Sequence, residues 1–442
     1  MIMKNWYKPI SLNPPQMLAI IFFTLVFAGG LLLKLPMATE KGITWVDAFF
    51  TAASAATVTG LATIDPGSTF TLFGEIVIMF LMQLGGLGIM TFTVLVMIML
   101  GKRIGIRQRL IMQEALNQPS VGGVVRLVRK ILIFTFTVQI ISVIILSLRW
   151  IPDLGIGKGV YYAIFHTIAA FNNAGFSLWP DNLSRYVHDP TVNIMITSLI
   201  IVGGLGFTVI FDLVTVKNFK KISLHSKVML ISTLVVNLLA FLFILLAEFH
   251  NPNTLGKLDF PSKLWASYFQ AITTRTAGFN TIDIGSLEPG TALFMMFLMF
   301  VGAGSTSTGG GIKLTTFVII SAAVITFLKG KQETNILHRR IRDEAIIRSL
   351  AITTVSILFI FLVTIVLAIS EKGTFLQILF EVISAFGTVG LSMNFTSSLS
   401  ILGKIIVILI MFFGKLGPLT LVYSFTKREK SKLSYPTGEL YT

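Results

Sequence analysis

The sequence predicts an all-α integral membrane protein: four tandem repeats of outer helix, pore helix and inner helix, set with pseudo-fourfold symmetry around one central pore. Three observations carry this expectation. The 442 residues are 54% hydrophobic and only 12% charged, about half the charged fraction of a soluble domain. Eight apolar stretches are long enough to cross about 30 Å of hydrocarbon. Between paired stretches, a shorter apolar segment ends four times on a lone glycine, at Gly60, Gly175, Gly278 and Gly390, roughly 100 to 115 residues apart. Regular spacing of that kind marks an internal repeat.

The repeats are expected at 1–101, 102–217, 218–330 and 331–426, followed by a polar tail at 427–442. In the first, an outer span at 16–35 leads to a pore helix at 45–56, the turn Thr57-Val58-Thr59-Gly60, and an inner span at 75–100 that Phe73 opens. The second sets its outer span at 131–148, its pore helix at 161–171, the turn Asn172-Asn173-Ala174-Gly175 and its inner span at 192–216. The third follows with 228–248, 264–274, Arg275-Thr276-Ala277-Gly278 and 291–328, and the fourth with 346–369, 375–386, Gly387-Thr388-Val389-Gly390 and 401–424. Segments of about three turns are too short to span, and irregular backbone at membrane depth is tolerated only inside protein or beside a water-filled path. Four such breaks in register imply a shared cavity.

Charge placement orients the chain. The net charge is +15, and the basic clusters fall between repeats or in the tail: Lys102 to Lys130, Lys217 to Lys227, Lys329 to Arg348 and Lys427 to Lys432. The positive-inside tendency then puts both termini and these connectors in the cytoplasm of a multi-pass cell-membrane protein. Anionic lipid headgroups account for the basic surface, so no nucleic acid partner is expected. No small-residue site closes the first apolar run as a signal peptide would, so that span is expected to be retained. With no cysteine there is no disulfide framework and no thiolate metal site.

A second signature follows each turn glycine by 24 to 28 residues: Gly85-Gly86-Leu87-Gly88, Gly203-Gly204-Leu205-Gly206, Gly302-Ala303-Gly304-Ser305 and Gly414-Lys415-Leu416-Gly417. Small residues let helices approach closely; helix bending is the alternative. The last two copies depart from the pattern, which is where asymmetric function is expected.

A cation crossing a bilayer exchanges its hydration shell for oxygens, and rings of carbonyls from threonine- and glycine-rich loops supply them. Glycine turns a carbonyl through backbone angles closed to other residues. One Thr-Val-Thr-Gly is a weak signal; four turns in register are a strong one, and the chain reads as ion-conducting. The residues at 57–61, 171–177, 275–280 and 385–391 resemble the Ktr/Trk/HKT superfamily of potassium transporters, and within it the bacterial KtrB-type membrane subunits. The resemblance covers nearly the whole chain. It implies that the four turns form a potassium filter, since glycine in all four places goes with potassium selectivity and serine in the first with sodium.

The third inner span is interrupted by Gly302-Ala303-Gly304-Ser305-Thr306-Ser307-Thr308-Gly309-Gly310-Gly311-Ile312-Lys313. Glycine costs about 1 kcal/mol per helical position, so a loop inside the protein is expected. Its spacing does not meet that of a phosphate-binding loop. By resemblance it is an intramembrane gate below the filter, where Lys415 acts with it as an electrostatic barrier. A cation at mid-span is costly and normally faces a cavity or a partner. Asp65, Asp181 and Asp283, with Asn394 in the fourth repeat, stand just past the turns, where they either concentrate cations or cap local turns. Arg275 and Glu381 are expected to brace the filter from behind, and His166, Asp212, Glu248 and Gln83 to be satisfied structural groups. The alternative function is a potassium symporter driven by sodium or protons, which calls for intramembrane carboxylates at inverted repeats; these repeats are parallel. Neither a Walker nor an aspartyl-phosphate motif marks an ATPase, and no enzyme activity is expected. The resemblance further implies a homodimer, a cytosolic KtrA-type regulator ring responding to ATP and ADP, transported K+ with Na+ as activator, and no covalently bound cofactor.

Overall fold

A computed structural model describes residues 14–88, 124–216, 218–305 and 307–417. Thr306, Lys217, the first inner span beyond Gly88, most of the connector that follows it, and the chain from 418 onward, with its tail, lie outside the described residues.

Among the described residues, four helices are long and apolar enough to cross a membrane unaided: Pro14–Lys34, Val124–Leu154, Leu224–Glu248 and Asp343–Ser370. They are the outer helices. The shortest has 21 residues, about 31 Å at the α-helical rise. Phe23, Leu148, Leu234, Leu246, Phe361 and Ile369 on these helices are exposed, an apolar perimeter that suits hydrocarbon and not water.

The pore helices run Trp45–Thr57, Ile156–Phe171, Phe260–Thr273 and Phe375–Gly387. Thr44 caps the first by accepting from Asp47 N (3.1 Å), and Thr374 forms a capping box with Gln377 on the fourth. The second and third begin four or five residues earlier than expected. Gly155, at φ 78°, turns the chain directly from the second outer helix, and Pro261 sits in the first turn of the third, where its missing N–H costs nothing.

The inner helices differ from the unbroken spans expected in repeats 1, 2 and 4. They run Leu72–Leu87, Pro190–Leu205, Pro289–Phe300 and Ile401–Leu416. Three of them stop at Gly88, Gly206 and Gly417, at φ 79°, 97° and 82°, angles that L side chains rarely adopt and that end an α-helix. Beyond Gly206 the chain resumes as Phe207–Thr215, bent by 95°. Close approach holds as well. A Cβ at Gly85, Gly203 or Gly414 would strike the carbonyl oxygen of Ala56, Phe171 or Phe386, near the end of the same repeat's pore helix.

Each inner helix packs on the pore helix of the next repeat, and the fourth packs on the first. Side chains tie these seams. Tyr161 donates to Glu75, Thr197 and Tyr268 share a hydrogen bond (3.2 Å), and Lys404 Nζ meets Asp47 Oδ1 at 2.8 Å. A short hairpin of two-residue strands lies outside the all-helical expectation: Asn335–Ile336 pairs with Arg339–Arg340 ahead of the fourth outer helix. Leu337 and His338 make its turn at φ 47° and 61°, as a tight primed turn requires.

Candidate functional site

The four turns close a ring. A Cβ on Gly60 would meet the Ala174 carbonyl oxygen at 2.5 Å, one on Gly175 that of Ala277 at 2.8 Å, and one on Gly278 that of Val389 at 2.5 Å. On Gly390 it would meet the Thr59 oxygen at shorter range still, which returns the ring to its start. All four glycines have positive φ, at 93°, 67°, 78° and 92°, and each follows by two residues a left-handed residue: Val58, Asn173, Thr276 or Thr388. A side chain at the glycines would be strained and would have no room.

The geometry has electrostatic consequences. The pore helices end at Thr57, Phe171, Thr273 and Gly387, a few residues before the ring, so four helix C-termini, each carrying roughly half a negative charge, lie beside it. The carbonyl oxygens of Thr59, Ala174, Ala277 and Val389 lie against neighbouring glycines. That arrangement favours a dehydrated monovalent cation.

Buried side chains hold each turn. Ser54 and Ser384 hydroxyls accept from Gly60 N (3.0 Å) and Gly390 N (3.1 Å). His166 Nε2 lies 3.2 Å from Ser177 Oγ. In the fourth repeat, Ser392 and Thr396 donate to Glu381 at 2.7 and 2.5 Å. His166 and Glu381 occupy matching pore-helix positions, and Ser177 and Ser392 matching positions past the glycine, so one device recurs with different chemistry. In the first repeat Asp47 does this work through Thr63 (2.8 Å) while also pairing with Lys404. Arg275 is buried and reaches away from the ring to Asn237 Oδ1 on the third outer helix (3.4 Å). No ion pair joins Arg275 to Glu381 among the described residues. Gln83 exchanges hydrogen bonds with Gln139 and accepts from Asn172 (2.7 Å), Asp212 accepts from Ser223 N, and Glu248 from Asn251, Thr254 and Glu288 N, as structural groups do.

On one side of the ring opens a vestibule of about 510 Å³, lined by all four glycines together with Asp65, Asp181, Asp283 and Asn394. Its carboxylates are also caps. Asp65 accepts from Ser68 N, and Asp283 from Gly285 N, Ser286 Oγ and Asn394 Nδ2. Asp181 pairs with Arg185. Burial raises the Asp181 pKa, but the Arg185 hydrogen bonds and charge outweigh it and hold the carboxyl below the usual range. Asp181 thus adds little net negative field, whereas Asp65 and Asp283 make no ion pair among the described residues.

Below the ring lies the glycine-rich loop. A parallel bridge joins Val301 to Ile312 at its base. Two inner helices carry it: Gly304 N donates to Gly204 O (2.8 Å), Thr308 N to Gly203 O (3.3 Å) and Gly311 N to Gly414 O (3.2 Å). Lys415 Nζ donates to Thr308 O (2.5 Å) and Lys313 Nζ to the neighbouring Gly309 O (2.6 Å), so both lysine side chains tether the loop. Ser305 shares a hydrogen bond with Thr315, and Ser307 donates to Gly304 O. A Cβ at Gly309 or Gly310 would collide with Thr276 or Thr388. Only glycine lets the loop press so closely on the turns.

Sequence reasoning missed Asp47, Lys404, Glu75 and Tyr161, whose partners lie in other repeats; the cue available was a charged residue within an otherwise apolar segment. Compared with known proteins, residues 3–434 match the TrkH family, described as a cation transport protein. The chain is 54% identical to Ktr system potassium uptake protein B of Bacillus subtilis strain 168, over 98% of each chain. It is 41% identical to the protein of that name from Vibrio alginolyticus, over 97% of this chain and 94% of that one. It is 37% identical to the potassium/sodium uptake protein NtpJ of Enterococcus hirae, over 96% of each. In fold it matches the crystal structure of the potassium transporter TrkH from Vibrio parahaemolyticus with a TM-score of 0.75, across 96% of this chain and 87% of that one at 18% identity.

Proposed function

Because the chain belongs to the TrkH family of cation transport proteins, transporters and not enzymes, we propose that it takes up potassium across the cell membrane as the ion-translocating, channel-like subunit of a Ktr-type system. The observation that carries this reading is the closed ring of Gly60, Gly175, Gly278 and Gly390 at the floor of the vestibule. Each repeat contributes one turn, and the four act as the selectivity filter. K+ is the transported ion, held by backbone carbonyls. Asp65 and Asp283 concentrate it at the mouth, and the loop from Gly302 to Lys313, with Lys415, is the gate.

Both termini face the cytoplasm in this reading, as the basic connectors support. The active unit is a homodimer with a pore in each protomer, and a KtrA-type regulator ring that binds ATP or ADP docks on the cytoplasmic face. Na+ acts as an activator, an assignment that the sodium in the name of the Enterococcus hirae relative supports.

The test is potassium uptake in cells that lack their own potassium transporters, and then in proteoliposomes. Expression is expected to restore growth at low potassium, and purified protein to admit K+ in preference to Na+. Absence of K+ flux from well-folded protein would overturn the proposal.

A further inference from the structure

The gate loop is bonded to the filter as well as lying beneath it. Gly310 N donates to Thr388 Oγ1 at 2.9 Å, a bond buried on both sides. Gly311 lies against Gly387. Thr388 stands at φ 48°, where a β-branched residue is a genuine outlier. Such strain persists only when the surroundings over-determine it. Thr388 N donates to Ala385 O (3.2 Å), as Val58 N does to Ala55 O in the first turn (3.1 Å), and Thr388 takes the loop amide on its hydroxyl in addition. The loop hangs in turn from Gly203, Gly204 and Gly414 on two inner helices.

We propose that the Thr388 hydroxyl is a positioning group that latches the gate loop to the fourth filter turn, making gate closure and the conformation of that turn one linked equilibrium. The inference rests on the reading of the ring as a filter and of the loop as a gate. Leaving the closed position, the loop breaks the Gly310 to Thr388 bond and frees the strained turn. By reciprocity, whatever stabilises the fourth turn, an ion at the ring included, holds the loop shut by the same factor. The matching residue of the first turn is Val58, at φ 53°, which carries no hydroxyl to take such a bond, and among the described residues Thr57 and Thr59 bond to each other and Thr57 to its own helix. The latch therefore makes the filter asymmetric in its response to gating.

The experiment compares wild type, Thr388→Val and Thr388→Ser in lipid nanodiscs. Valine keeps the branch and the volume but removes the acceptor; serine keeps the acceptor. Hydrogen exchange of the peptide covering residues 302–313 is the readout, with the Tm of each protein as the control for folding. Thr388→Val is expected to speed exchange of the loop by about five- to tenfold, the weight of one hydrogen bond, while Thr388→Ser exchanges as wild type does. Added K+ should slow exchange in wild type and Thr388→Ser but not in Thr388→Val. Equal loop protection in all three proteins at matched Tm overturns the latch, as does a Thr388→Ser that exchanges as fast as Thr388→Val. If the wild-type protein passes no K+ in proteoliposomes, the functional reading fails first and the latch with it. If K+ flows and loop protection is insensitive to Thr388→Val, the latch alone fails.

Discussion

Alanine at the four ring glycines should damage transport unequally, in an order the geometry sets. Placing any L residue at these positive φ angles costs about 1–2 kcal/mol, worth roughly a factor of 5 to 30 in a rate or equilibrium. The collision then differs from site to site. Ordinary van der Waals contact begins at 3.4 Å, whereas the new Cβ would stand 2.8 Å from a backbone oxygen at Gly175, 2.5 Å at Gly60 and Gly278, and closer at Gly390. Backbone must retreat by about 0.6 Å in the mildest case and by more in the others, because a carbonyl held in a packed ring cannot swing aside as a side chain does. Gly175→Ala should therefore be the least affected, with potassium uptake lowered about tenfold, and Gly390→Ala the most, with preference for K+ over Na+ lost. The assay is K+ uptake into proteoliposomes with Na+ competition, normalised to incorporated protein of matched Tm. Uptake and preference like wild type in all four variants, or Gly175→Ala faring worse than Gly390→Ala, would refute the reasoning.

Lys415→Ala removes both a charge and the donor to Thr308, so K+ flux without a regulator should rise severalfold; unaltered flux in proteoliposomes would count against a tethering role. Lys404→Met strands the carboxylate of Asp47, and with a largely buried pair at stake the loss should be about 2–4 kcal/mol, seen as a fall in Tm. Glu381→Ala deprives Ser392 and Thr396 of their acceptor and should loosen the fourth turn, whereas Glu381→Gln keeps one acceptor and should recover most of the Tm and of the K+ preference. Neutralising Asp65 and Asp283 together should slow uptake at low ionic strength and have little effect at high salt, while Asp181→Asn, at a position already countered by Arg185, should do little at either.

The frame of the molecule was legible because its determinants are local. A turn with positive φ demands glycine, and glycine placed in register four times tells of four equivalent turns. The glycine-rich loop was equally plain, since no helix in lipid tolerates that run of glycines and hydroxyls. The breaks in the other inner helices were written in Leu87-Gly88, Leu205-Gly206 and Leu416-Gly417, but a glycine in an apolar span reads as readily for close packing as for termination, and here the motif does both. The dual nature of the vestibule aspartates was half visible. Asp65 before Pro66 is a helix-capping pair, while Asp181 needed its Arg185 neighbour to be placed before its charge could be discounted. What no single stretch could disclose is the set of ties between repeats. Nothing in the apolar surroundings of Glu75 names Tyr161, and the direction in which Arg275 points depends on the packing of three helices.

The contact between Asp47 and Lys404 spans 357 positions along the chain. It has a consequence for biosynthesis. When the first pore helix emerges from the ribosome its carboxylate has no ammonium to meet, and it must wait in the membrane, or in whatever chaperone shelters it, until almost everything else has been inserted. A chain stalled after three quarters of its translation would leave that carboxylate with Thr44 and Thr63 alone as side-chain partners.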